Sequence, residues 1–158
     1  MLKNILSGES CAKCRLCCIF DKYDIWETPT VSDELFEKIR SKYPEVEFID
    51  KGEGGRILKC IPDGELFNCP LLDKKSGCKL GDDKPFDCKI WPYRIMEFGG
   101  KRVITIASIF PEMYKKPLSA LVAELEENDL AKKIFREADI HPEIVKPYQK
   151  GYPILLAE

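Results

Sequence analysis

The chain is poor in histidine, in long apolar runs and in excess charge of either sign. His141 is the only histidine among 158 residues, and it precedes Pro142 just beyond the last expected helix, a loop position. With one imidazole and no nucleophile motif, hydrolase chemistry of the Ser-His-Asp or Cys-His kind has no foundation here. No stretch reaches the length of a helical membrane span, so no membrane partner is expected. The opening residues, MLKNILSGESC, hold one lysine and too short an apolar run for a secretory signal, which makes a cytosolic location the expectation. The net charge is -2 with both signs interspersed, and this excludes the electrostatic footprint that sequence-independent nucleic-acid binding needs. Internal repeats and low-complexity linkers are absent as well. The run Lys51-Gly52-Glu53-Gly54-Gly55 lacks both a full phosphate-loop pattern and a following helix, so it reads as a hairpin or loop.

Cysteine is what the chain has in quantity. Of eight, Cys11, Cys14, Cys17 and Cys18 form one tight group and Cys69, Cys78 and Cys88 a second, with Cys60 apart from both. In a reducing compartment such clusters are more often metal ligands or redox groups than structural disulfides.

The remaining composition, 44% hydrophobic and 33% charged, is that of an ordinary packed domain, and the length suits one core. Thr28 to Asp33 offers hydroxyl caps and an early acid. A helix over Asp33 to Tyr43 should follow, with Leu35, Phe36, Ile39 and Tyr43 on its buried face and Pro44 ending it. Ile57 to Ile61 and Leu66 to Leu72 read as short strands bearing Cys60 and Cys69, joined by a Pro62-Asp63-Gly64 turn. Gly99-Gly100 centres a hairpin from Tyr93 to Ile106, which sets Glu97 opposite Arg102, Met96 opposite Val103 and Ile95 opposite Ile104. Pro117 to Glu127 should be a helix with Leu118, Leu121, Val122 and Leu125 on one stripe. After a break near Asn128, Leu130, Ile134 and Phe135 continue an apolar face, and Ile154-Leu155-Leu156 should dock back onto the body.

The first cysteine group reads C-x-x-C-x-x-C-C. Three thiols at every third residue can ligate three corners of a four-iron cubane, with a distant Cys-Pro as the fourth, and Cys69 is followed by Pro70. Lys13 and Arg15 between the thiols would offset the charge of an anionic cluster. Zinc fits the same residues: a C-x-x-C turn supplies two ligands, and the C-x8-C and C-x9-C spacings through Cys69, Cys78 and Cys88 supply others. Spacing alone does not separate one cluster from two mononuclear sites, because iron and zinc both accept thiolates. Cys18 divides evenly between ligand and packing residue. Cys60, inside the apolar run Ile57-Leu58-Lys59-Cys60-Ile61, reads as a core residue. A vicinal Cys17–Cys18 bond would strain the peptide between them. Trp26 and Trp91 read as packing residues, although Trp91 is near enough to Cys88 in sequence to shield a metal from water.

Taken together, Cys11-x-x-Cys14-x-x-Cys17-Cys18, Cys69-Pro70-Leu71-Leu72, Cys78-Lys79-Leu80, Lys84-Pro85-x-x-Cys88-Lys89 and Trp91-Pro92 resemble the YkgJ-type cysteine-cluster family, described as zinc- or iron-chelating. The resemblance runs over roughly residues 11 to 92 and includes the Thr28-Pro29 helix start. The chain departs from the family pattern at Lys84 and Lys89, where arginine is usual, and at Phe110-Pro111, where many members have Cys-Pro; lysine is a point charge and does not reproduce arginine's planar fork. The same cysteine cluster occurs in flagellin lysine-N-methylase, so the resemblance also implies a methyl-transfer activity on a protein substrate. No methyl-donor or nucleotide motif is evident in this chain.

The expectation is therefore a single α+β domain over 1–158, built of a small antiparallel sheet with hairpins and flanking helices. Its cysteine-rich metal-binding loops would occupy about 11–92 and a hairpin and helical part about 93–158. The expected ligands are Cys11, Cys14, Cys17, Cys18, Cys69, Cys78 and Cys88, holding iron or an iron-sulfur cluster in preference to zinc. Two other readings stand beside it: a small enzyme, such as a protein-lysine methyltransferase or a redox protein using that centre, and a zinc-stabilised module that docks a protein partner.

Overall fold

Ser32 starts the first described helix in the way its hydroxyl suggests: its Oγ accepts the Leu35 N–H at 3.4 Å. The computed structural model describes residues 15–21, 28–52, 55–73, 75–107, 115–127 and 129–158. Cys11, Cys14, Trp26, Phe110, Pro111 and Asn128 lie outside them. By its contacts the chain divides into two compact units, Met1–Lys89 and Ile90–Glu158. Their elements are helices and short, mostly antiparallel strands, an α+β fold rich in hairpins. Among the described residues no helix is long and apolar enough to cross a membrane.

In the first unit the order is β1 (Ile19–Phe20), β2 (Thr30–Val31), α1 (Asp33–Lys42), β3 (Phe48–Asp50), β4 (Arg56–Leu58), β5 (Ile61–Asp63), β6 (Leu66–Asn68), β7 (Leu72–Asp73) and β8 (Gly77–Cys78). Helix α2 (Phe86–Ile90) runs to the junction between the units. The strands form two three-stranded sheets, ordered β1-β6-β5 and β2-β4-β3, and a β7-β8 hairpin. Helix α1 turns Ile39 fully inward, and Val31, Val46, Leu58 and Leu71 complete this core, with Leu35, Phe36 and Tyr43 packed against it. The expected helical stripe is thus the one that packs. Glu34, Glu37, Lys38 and Lys42 are exposed. Opposite the helix start, the Arg56 guanidinium stacks on the Phe36 ring at 4.0 Å and reaches Asp33 at 2.8 Å.

The expected Pro62-Asp63-Gly64 turn is placed differently. Pro62 pairs with Phe67 and Asp63 with Leu66, so both belong to β5, and the reversal falls on Gly64, at φ 65°, and Glu65. Proline is tolerated because β5 is an edge strand, where a missing N–H leaves no ladder bond unmade.

The second unit holds β9 (Tyr93–Phe98), β10 (Lys101–Ile106), α3 (Leu118–Glu127), α4 (Leu130–Ile140), β11 (Lys146–Pro147) and β12 (Ile154–Ala157), with sheet order β11-β9-β10-β12. The β9–β10 register sets Glu97 against Arg102, Met96 against Val103 and Ile95 against Ile104, as the Gly99-Gly100 turn predicts. β12 pairs with β10, so the C-terminal run does dock back, while β11 joins β9 in parallel, an exception to the antiparallel expectation. Leu121, Leu125, Leu130 and Ile134 are buried, whereas Leu118, at the start of its helix, is 55% exposed. The charges of the hairpin also take other partners. Arg102 bonds Asp139 at 2.7 Å and Glu158 at 2.5 Å, and Glu97 accepts the Gly100 N–H at 2.8 Å.

Gly100 sits at φ 78°, and nothing lies within 4 Å of where a Cβ would be. Gly100→Ala should therefore cost only the left-handed backbone penalty, about 1 kcal/mol, and lower the melting temperature by a few degrees. A thermal melt with no shift would show that the turn relaxes freely.

Candidate metal centre

Five of the expected ligands come together in the first unit. Cys17, Cys18, Cys69, Cys78 and Cys88 line one cavity of about 270 Å³, several times the ~30 Å³ share of a water molecule. They arrive on four local devices. Cys17 and Cys18 end a 3₁₀ turn, Leu16–Cys18, that opens with Arg15 in the left-handed region at φ 56° and closes with the Cys18 N–H donating to the Arg15 carbonyl at 2.8 Å. Cys60 and Cys69 do not lie on strands as expected: Cys60 falls between β4 and β5, and Cys69 falls just after β6, where its N–H donates to the Cys18 carbonyl at 2.8 Å, one step beyond the last β1–β6 pair. Cys78 lies on β8 opposite Leu72. That hairpin is tightened by Asp73, whose Oδ1 accepts the Lys75 N–H at 2.9 Å, the Ser76 N–H at 2.7 Å and the Ser76 hydroxyl at 2.8 Å. Cys88 rides on α2, which the Asp87 carboxylate ties to β2 by accepting the Thr30 N–H at 3.1 Å.

Those last two contacts make separate predictions. The hydrogen bonds from Ser76 and Lys75, with the nearby Lys79 charge, hold the Asp73 carboxyl below its ordinary 3.8. Its stabilising effect is then fully present above 3.8 and is lost as pH falls through the lower, folded-state value. An NMR titration of Asp73 should show a midpoint under 3.8, and one at or above it would show the turn open. Asp87 is only 3% exposed. Asp87→Ala should cost roughly 1.5–3 kcal/mol, the usual range for a bond to a charged acceptor, while Asp87→Asn, which keeps an acceptor, should cost less. Equal denaturant midpoints for the two variants would show that the Thr30 N–H has another sufficient partner.

The sulfurs influence one another. Cys17 and Cys18 place their Sγ atoms 3.8 Å apart. The hydrogen bond from Cys17 favours a Cys18 thiolate, but the bond with Cys69, burial, and the Cys69 and Cys78 sulfurs outweigh it and push Cys18 up to about 12. Cys88 is pushed well up by burial first, then by the neighbouring sulfurs of Cys17 and Cys18, the Asp87 carboxylate and Cys78. Thiols in such company resist ionising until a cation offsets their charge. The six described cysteines are thiols.

The donor chemistry fits iron, zinc or an iron-sulfur cluster, since thiolates suit all three. Among the described residues, however, no three histidine, cysteine, aspartate or glutamate side chains converge tightly enough to hold one ion as they stand. The thiols ring a space and do not meet at a point. Leu58, Leu71, Leu80 and Pro85 supply apolar wall between them, and Arg15 and Lys84 bring positive charge to the lining.

Cys60 has a different setting. It is 5% exposed, donates to the Leu58 carbonyl at 3.7 Å, is pushed up to about 12 by burial, and does not line the cavity. His141 caps α4 and faces Glu143 at 3.2 Å. Trp91 belongs to the second unit, where the Arg94 guanidinium sits 5.2 Å from its ring. Sequence reasoning had no signal for Asp87, because its partner is 57 residues away. No family model matches the chain, and no curated protein and no solved structure matches it either.

Proposed function

We propose that the chain is a metal-binding protein of a reducing, cytosolic setting that holds iron or an iron-sulfur cluster, in preference to zinc, through clustered cysteine thiolates. The observation that carries this reading is that five cysteines from four separate stretches of chain line one cavity. Cys17, Cys18, Cys69, Cys78 and Cys88 are the proposed ligands there, together with Cys11 and Cys14 of the same C-x-x-C-x-x-C-C run. A bound centre would supply redox or Lewis-acid chemistry. The chain's own part is to gather thiolates, to offset their charge with Arg15 and Lys84, and to limit water with the leucine and proline wall.

A second reading, a small enzyme using that centre, is favoured by the size of the cavity, which exceeds what one ion needs. The resemblance to the YkgJ-type family supports metal chelation and, through flagellin lysine-N-methylase, a protein substrate for such an enzyme. The test is anaerobic purification followed by elemental analysis, sulfide assay and a visible absorption spectrum. Iron, with or without sulfide, and a broad charge-transfer band are expected. Stoichiometric zinc in a colourless protein would overturn the iron assignment, and a metal-free protein that also fails to take up zinc or iron would overturn the whole reading.

A further inference from the structure

We propose that Cys18 and Cys69 are a thiol pair that closes to a cross-strand disulfide under a peroxide. β1 and β6 run antiparallel with Ile19 opposite Asn68 and Phe20 opposite Phe67, so the next rung sets Cys18 opposite Cys69. Half of that rung is formed: the Cys69 N–H donates to the Cys18 carbonyl at 2.8 Å, while the Cys18 N–H closes the 3₁₀ turn on the Arg15 carbonyl. Residues so related in an antiparallel pair have Cα atoms about 5.5 Å apart, inside the roughly 4.4–6.8 Å that a disulfide spans. Both cysteines line the cavity, which gives a small oxidant a path to them.

Two competing partners among the described residues, Cys17 and Cys60, are worse placed. Cys17 Sγ is 3.8 Å from Cys18 Sγ, but joining adjacent residues strains the peptide between them. Cys60 would flank Cys69 on the other side if the β5–β6 register continued one rung, yet its buried thiol is turned to the Leu58 carbonyl.

The chemistry balances with hydrogen peroxide as oxidant. The half-buried Cys69 is the more accessible sulfur and attacks first: an S–O bond forms, the O–O bond breaks, and a sulfenic acid and one water result. The Cys18 sulfur then attacks the Cys69 sulfur, the S–S bond forms, the S–O bond breaks, and a second water leaves. Two thiols lose two electrons and two protons, and the peroxide accepts both. This pair does not depend on the metal-binding reading. Where a metal is held, closure withdraws two of the cavity's sulfurs from it.

The experiment uses the full chain, reduced with dithiothreitol, desalted anaerobically and treated with one equivalent of hydrogen peroxide. The thiol count of the denatured product should fall by two, and dithiothreitol should restore it. Cys17→Ser and Cys60→Ser, singly and together, should keep this loss, and fragment spectra of the double variant should show Cys18 joined to Cys69. Cys18→Ser and Cys69→Ser should abolish it. Retention of the loss in Cys69→Ser, or a Cys18 fragment joined to any other cysteine, would overturn the pair. Elemental analysis of the same sample separates the two proposals: disulfide formation in a chain unable to take up metal sinks only the metal reading, and a metal-binding chain that forms no such bond sinks only this one.

Discussion

Cys69→Ser is expected to weaken metal retention roughly a hundredfold, while Cys60→Ser leaves it unchanged. If a thiolate site stabilises its metal by about 10–16 kcal/mol over four ligands, losing one donor removes roughly 3 kcal/mol. Serine does not compensate, because a neutral hydroxyl is a poor ligand for metals that select thiolate. Cys69 is the informative position, since it lines the cavity and its N–H donates to the Cys18 carbonyl. Cys60 is the control from the same hairpin, buried and outside the cavity lining. A hydroxyl there should cost stability of roughly 1–3 kcal/mol, the price of a polar group in an apolar setting, without touching the donors. Metal content after gel filtration and competition against a chromophoric chelator measure both. Equal retention by the two variants would remove Cys69 from the ligand set.

Ile39→Ala should destabilise the first unit by about 3 kcal/mol, within the 2–5 kcal/mol range for large-to-small core changes, and Ile39→Val by about 1 kcal/mol. Ile39 is 0% exposed and packs among Val31, Val46, Leu58 and Leu71. Leu58 and Leu71 are also cavity wall, so the void left by alanine lies directly behind the site. The reading is the midpoint of urea unfolding at unchanged slope. A loss for alanine under about 1 kcal/mol would mean that the core closes over the gap and that the cavity wall does not depend on this residue.

Local signals in the sequence carried through where short-range physics decides the outcome. The Leu35-Phe36-Ile39-Tyr43 stripe and the Gly99-Gly100 register depend on dihedral preference and periodicity within about ten residues, and both are found; of the hydroxyls between Thr28 and Asp33, Ser32 caps the helix while Thr30 lies in β2. The reversal falls after Pro62 and not on it, because an edge strand accommodates proline as well as a turn does. Leu118 satisfies the helical stripe but stands in the first turn, where its neighbours leave it exposed. Glu97 and Arg102 are opposite in register, as expected, yet Arg102 answers to Asp139 and Glu158, which are distant in sequence.

The same division holds at the candidate site. By itself the sequence determined which side chains are of a ligating type and the tight spacing of Cys17 and Cys18 within the first group; the short hairpin that carries Cys78 and the short helix that carries Cys88 came only with the structure. Only the tertiary structure decided that Cys69, Cys78 and Cys88 share a cavity with Cys17 and Cys18, that Cys60 turns away from it, and that Cys18 faces Cys69 across a ladder rung. The reason is physical. Spacing along a chain constrains neighbours through a few dihedral angles, whereas the meeting of residues some fifty positions apart is set by strand register and core packing, which no local pattern encodes.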